Sequence, residues 1–279
     1  MMREIIYDCG GYVRVHVCSI RRSAKGKRGH RNKITCESRA KLNAKNAKHR
    51  MADLLHCNFG GKDIALRLSY SDDEMPFTIE DAIRNVQNFI RRLRRIYKAA
   101  AIKKIKYIYV TEMSGNGRIH HHLIITGGVD RNLIEKTWGL GYCNSKRLQF
   151  SENGLNGIAE YFQKEPKGKE SNKRIRRWNS SQGLDTPKVS RRDYVVTNKT
   201  AKYIDSNPDD YNYIRDLYPN YEVGHVEPTA INDVSTGLFI TIYLYKPEVI
   251  THANKNEFDY ILKGEKKRTS VRGRRTQKD

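Results

Sequence analysis

The chain runs to 279 residues, enough to bury one large core or two modest ones. Its 53 Lys and Arg outnumber 31 Asp and Glu, and the resulting net charge of +22 calls for a polyanionic partner. No apolar run approaches the ~20 residues of a bilayer span and no apolar signal core opens the sequence, which places nucleic acid ahead of a membrane surface as that partner.

In chain order, Glu4 to Tyr7 and Tyr12 to Cys18 are two β-like runs joined by Cys9-Gly10-Gly11, the pattern of a hairpin. Residues 21 to 35 are basic and polar, with Gly26 and Gly29, and read as a linker or DNA-tracking segment. A basic helix is predicted from Cys36 to about Leu55, stopped by Asn58-Phe59-Gly60-Gly61. Residues 1–58 thus form a first unit. The five cysteines (Cys9, Cys18, Cys36, Cys57, Cys143) are scattered without a C-x-x-C pair, which suggests neither a zinc ribbon nor a disulfide scaffold and suits reduced thiols in a cytoplasm.

Residues 59–166 show a denser order of elements. Asp63 to Tyr70 alternates as a strand. Thr78 with Asp81 offers a capping-box start, and Ile79, Ile83, Val86, Ile90 and Leu93 mark one stripe of a helix running to about Ala100. Arg91, Arg92, Arg94 and Arg95 crowd its second half. Strands follow at about Lys104 to Glu112 and Ile119 to Thr126, then a helix from Asp130 to Trp138 and a strand from Tyr142 to Phe150. The order βαββαβ predicts an α+β, ferredoxin-like or RRM-like antiparallel sheet with its helices on one face. A helix from Asn153 ends before Pro166, with Leu155, Ile158 and Phe162 on one stripe and Tyr161 and Lys164 on a neighbouring face. Residues 167–262 read as a C-terminal α+β extension: a basic run closed by Trp178, a turn-rich stretch to Pro187, a helix over 200–218 interrupted at Asn207-Pro208, and strands at Tyr221 to Val226 and Gly237 to Tyr245. The tail, 263–279, is basic, polar and expected to be disordered.

The chemistry concentrates in Val110 to Ile125. Side chains of a strand alternate between faces, so His120 and His122 share one and His121 takes the other. If the hairpin through Ser114 to Gly117 pairs even positions with even, Glu112 joins His120 and His122. Two imidazoles and a carboxylate make an open divalent-metal site, suited to Mg or Mn. A run of exposed histidines on an edge strand is the plainer alternative. Basic residues expected to follow a nucleic-acid backbone are Arg67, Arg91, Arg95, Arg118, Lys173, Arg174, Arg176 and Arg177, with Trp178 as a stacking platform or, equally, the anchor of a solvated loop.

Three motifs, in order, resemble those of HUH endonucleases, specifically the rolling-circle replication initiators of phages and small plasmids. Ala65-Leu-Arg-Leu-Ser-Tyr70 is similar to the first, strand-borne motif. His120-His121-His122 is similar to the second, with His121 departing from the usual aliphatic middle residue, and Tyr161-Phe-Gln-Lys164 to the third. The resemblance spans about Gly60 to Lys164 and, more loosely, Trp178 to Pro187. It implies a metal on His120, His122 and Glu112, Tyr161 as nucleophile, Lys164 as its electrostatic partner, and an origin single strand or hairpin as substrate. Cleavage would leave a 5′-phosphotyrosine and a 3′-hydroxyl for a host polymerase. The chain has a single motif tyrosine and no G-x-x-x-x-G-K-[ST] sequence, so a host helicase is implied as well. A relaxase or single-tyrosine transposase would use nearly the same residues, and a non-catalytic RRM-like module is the rival from another class.

Overall fold

Both ends of the chain contribute to one sheet. In the computed structural model, which describes residues 1–20, 37–150, 154–162, 178–229 and 237–247, β1 (Met2–Asp8) and β2 (Tyr12–Ser19) form the expected hairpin. The basic linker, the tail, and Lys164, Lys173, Arg174, Arg176 and Arg177 lie outside the described residues. Helix α1 (Glu37–Asn58) leads into β3 (Ile64–Ser69), α2 (Ile79–Ala99), β4 (Tyr107–Met113), β5 (Ile119–Ile125), α3 (Arg131–Trp138) and β6 (Cys143–Arg147). There follow α4 (Asn156–Phe162), β7 (Asn179–Ser180), β8 (Lys188–Asp193), α5 (Asn198–Ser206), α6 (Tyr211–Leu217), β9 (Glu222–Glu227) and β10 (Phe239–Tyr245).

The protein is α+β, with two five-stranded antiparallel sheets among the described residues. One has the order β8-β1-β2-β10-β9, the other β6-β3-β5-β4-β7. The second holds the βαββαβ unit, with β5 hydrogen-bonded between β3 and β4. Local chemistry explains its helices. The Thr78 side chain accepts from the Asp81 amide at 3.1 Å, satisfying one of the amides left free where α2 begins. The stripe of Val86, Phe89, Leu93 and Tyr97 then packs with Ile134 and Trp138 of α3 on Leu66, Leu68, Leu123 and Ile125. Burying one such large apolar side chain is worth roughly 1.5 to 3 kcal/mol.

The unit's own helices therefore share one face, as the layout predicts. The opposite face is covered over part of its length. Met51 and Leu55 of α1, with Leu155, Ile158 and Phe162 around α4, pack on Ala65, Ile108, Val110 and Ile124. Toward the other end of the same face the strands carry Arg67, Glu112, His120 and His122 instead. The apolar half is roofed and the polar half is the site.

The N-terminal hairpin and the C-terminal strands, expected as separate flanking units, are neighbours: β2 pairs with β10 from Cys18↔Phe239 to Tyr12↔Tyr245. Helices α5 and α6 cover one face of this sheet through Ala201, Ile204 and Ile214. The other face, with Tyr12, Tyr243 and Tyr245, meets α1. Helix α1 thus lies between the two sheets. Strand β8 has no counterpart among the sequence expectations, because every residue of Lys-Val-Ser-Arg-Arg-Asp is exposed on this edge and leaves no apolar alternation to read.

Candidate metal centre

The hairpin of β4 and β5 turns at Ser114 to Gly117, where the Ser114 amide donates to the Arg118 carbonyl at 2.9 Å and Gly117 adopts φ = +79°, a conformation without steric cost only for glycine. The turn sets the register, and the register sets the site. Glu112 pairs with His120 and Val110 with His122, so even positions face even positions. On the far side of β5, Ser69 pairs with His120 and Arg67 with His122. The face thus gathers Glu112, His120 and His122, with Arg67 one strand away from His122.

Metal-ligating atoms of Glu112, His120 and His122 all lie within 4.8 Å of one another. Glu112 Oε2 is 3.4 Å from His120 Nε2 and 3.9 Å from His122 Nε2. Donors about 2.1 Å from a shared ion sit roughly 3 to 3.5 Å apart, so a small inward shift closes the set around a divalent cation. Both imidazoles are buried, while the carboxylate is half-buried and reachable from solvent. Burial, and then the positive fields of His120 and Arg67, hold His122 well below the ordinary histidine range. Its ring is neutral and keeps a lone pair for a cation or a hydrogen.

His121 turns to the other face and is fully buried. Its Nε2 lies 2.8 Å from Tyr70 Oη and its Nδ1 2.9 Å from Thr111 Oγ1, and its ring meets Trp138 edge-on. Burial pulls its pKa down to about 3. The histidine triplet is therefore divided by the pleat, two residues toward the cluster and one into the core beneath α2 and α3.

Helix α4 brings Tyr161 over the cluster. Its hydroxyl donates to Glu112 Oε2 at 2.9 Å and lies 2.9 Å from His122 Nε2, and its ring sits edge-on to His122 at 4.7 Å between centroids. Leu155, Ile158 and Phe162 are buried as their stripe predicts, leaving Tyr161 half-buried at the rim.

The expected nucleic-acid residues divide. Arg67 shares the cluster's face and is half-buried. Arg118 is exposed beside the turn, already paired with Asp72 and donating to the Tyr70 carbonyl at 2.8 Å. Arg91 and Arg95 are exposed on α2, which packs on the opposite face of the sheet. Those two do not share a surface with the cluster. Trp178 is half-buried against the apolar contacts of α1 and α4, which matches its reading as an anchor. Sequence reasoning missed the groups at the start of α4. His56 accepts from the Leu155 amide at 3.0 Å and stacks on Tyr12 from the other sheet. No local pattern marks a lone histidine in a basic helix for this.

Compared with known families, residues 63–166 match a family of replication-associated proteins, the ORF2 type. The matched stretch begins at the start of β3 and runs through α4, so it contains the whole cluster and Tyr161. No curated protein and no solved structure matches the chain. The match supports a role in DNA replication, and with it binding to DNA.

Proposed function

We propose that the protein initiates rolling-circle replication by nicking and rejoining single-stranded origin DNA through Tyr161. One observation carries the reading: a tyrosine hydroxyl from α4 lies 2.9 Å from both Glu112 Oε2 and His122 Nε2, inside a His-His-Glu group able to hold a metal. The family match over the same residues supports it.

The donor set suits a divalent cation such as Mg or Mn, held by Glu112, His120 and His122, which would supply positive charge to the non-bridging oxygens of a phosphodiester. Tyr161 Oη attacks phosphorus. The bond from phosphorus to the 3′-oxygen breaks, leaving a 5′-phosphotyrosine and a 3′-hydroxyl, and the reverse attack rejoins the strand. A free phenol ionises near pH 10, about three units above neutrality, so the attack needs a proton acceptor or a cationic neighbour. Glu112 Oε2 already accepts the Tyr161 proton in a hydrogen bond. Lys164, three residues on in sequence, is the neighbour whose charge favours the phenolate. Arg67, beside His122, is placed to bind the flanking backbone. A host helicase and polymerase in the cytoplasm would open and extend the nicked replicon. No described helix is long and apolar enough to cross a membrane.

The test uses labelled origin single strands, Mn and a denaturing gel. Wild type should give a covalent protein–DNA adduct, and Tyr161→Phe should give none while still binding DNA. An undiminished adduct from that variant would remove Tyr161 as nucleophile. His120→Ala and His122→Ala should lose both metal binding and the adduct, and cleavage unchanged in both would reject the metal centre.

A further inference from the structure

Helix α4 starts without a cap of its own. Leu155, whose carbonyl accepts the first helical bond from the Ala159 amide at 3.1 Å, has no side-chain oxygen to offer. The Leu155 amide is satisfied from outside the helix, by His56 Nε2 of α1 at 3.0 Å. His56 Nδ1 lies 2.8 Å from the Ala52 carbonyl, which can only accept, so the proton is on Nδ1 and the lone pair on Nε2. The ring is held flat against Tyr12 of β2, 3.8 Å between centroids at 12°. One residue further on, Asn156 Nδ2 donates to Tyr245 Oη of β10 at 3.0 Å.

Gly154 shows how closely these groups meet. It adopts φ = +58°, and a Cβ there would lie 2.5 Å from His56 Nε2 and 2.6 Å from Tyr245 Cε1. Around the start of α4 the histidine, the tyrosine and the turn leave no room for a methyl group. Lys48 of α1 adds an ion pair to Glu160 on the same helix.

Resting on the reading of Tyr161 as nucleophile, we infer that His56, held by Tyr12 and assisted by Tyr245, is a positioning residue that sets where α4 presents the Tyr161 hydroxyl. Tyr161 follows Leu155 by six residues, about 9 Å along the helix axis, so a tilt or slip at the capped end is carried to the hydroxyl. His56, Tyr12 and Tyr245 all lie outside the matched residues 63–166. The sheet built from the two chain ends therefore acts on the chemistry through α4, without contacting the reacting atoms.

The test uses the full chain in single-turnover adduct formation on labelled origin single strands with Mn, comparing wild type, His56→Ala and His56→Gln. A misplacement on the order of 1 Å costs roughly a hundredfold, so His56→Ala should slow the adduct by about ten- to a hundredfold. Its Mn affinity by calorimetry and its DNA affinity should stay unchanged, because the metal ligands sit on β4 and β5. The Gln side-chain oxygen can accept from the Leu155 amide, so His56→Gln should recover most of the rate. An adduct rate in His56→Ala equal to wild type would overturn the inference, as would a His56→Gln rate no better than that of His56→Ala. Should His56→Ala fail to fold, Tyr245→Phe keeps the ring and removes only the acceptor of Asn156. It should slow the adduct by roughly three- to tenfold, the worth of one hydrogen bond, and an unchanged rate would overturn the inference. Failure of the underlying reading looks different: no adduct from wild type, or an adduct that survives in Tyr161→Phe.

Discussion

A phenol has one hydrogen, and Tyr161 places it between two acceptors. It donates to Glu112 Oε2, and the 2.9 Å contact to His122 Nε2 uses a nitrogen that a cation would also need. Metal loading and the apo position of Tyr161 therefore compete for the same atoms. Tyr161→Phe removes the competitor and should raise Mn affinity by about three- to tenfold, in line with a net worth of roughly 0.5 to 1.5 kcal/mol per hydrogen bond. Calorimetry without DNA measures this, and an affinity equal to or weaker than wild type would show that the phenol does not compete. The split of the histidine triplet was legible from alternation along one strand. That the odd histidine would be tied to Tyr70 and Thr111 was not, because those partners come from neighbouring strands.

Among the elements, α1 has the least simple task. One side of it packs through Met51 and Leu55 on the sheet of the metal centre, while His49, Asp53 and His56 meet the other sheet. The fastening is a buried ion pair: Arg14 Nε and Nη2 donate to the two Asp53 oxygens at 3.0 and 2.5 Å, with the guanidinium 4.0 Å from the Tyr7 ring centroid. Removing one partner leaves the other charge buried alone, so Arg14→Met should cost about 3 to 5 kcal/mol in urea unfolding. A loss below about 1 kcal/mol would mean that the pair contributes no more than an exposed one. The sequence marks α1 as a basic helix, and its length and stop signal were readable. Its second contact surface was not, since polar and titratable residues at a helix–sheet interface carry no apolar periodicity.

The interface between α1 and the chain-end sheet also makes the whole molecule sensitive to acid. Burial holds His56 down to about 4, and burial first, then Arg14, keeps His16 far below the ordinary histidine value. Burial likewise lowers His49, against the opposing pull of Glu227. All three are neutral when folded, and on unfolding each regains a pKa near 6.5 and takes up a proton. Their stabilisation is therefore complete above pH ~6.5 and is lost as pH falls toward the folded values, by up to about 1.4 kcal/mol per pH unit for each histidine. In EDTA, Tm should drop clearly between pH 7 and pH 5, and His56→Gln should flatten that slope. A Tm independent of pH over this window would contradict the assignment of neutral, buried rings.

What the sequence determined by itself is what repeats over two to four residues. Alternation from Val110 to Ile125 placed His120 and His122 together, the stripe of Leu155, Ile158 and Phe162 set Tyr161 beside a buried face, and Thr78 marked the start of α2. Such patterns survive in one dimension because the contacts behind them join residues within a turn or a pleat. The tertiary structure decided everything that depends on pairing between distant segments. It chose the register that puts Glu112 opposite His120, placed the arginines of α2 behind the sheet rather than beside the metal ligands, and brought the Tyr161 hydroxyl to Glu112 and His122. It also joined β2 to β10, two strands from opposite ends of the chain, so that His56 can cap the tyrosine helix. Those choices are set by the burial and hydrogen bonding of groups far apart in the chain, for which no local spacing gives a sign.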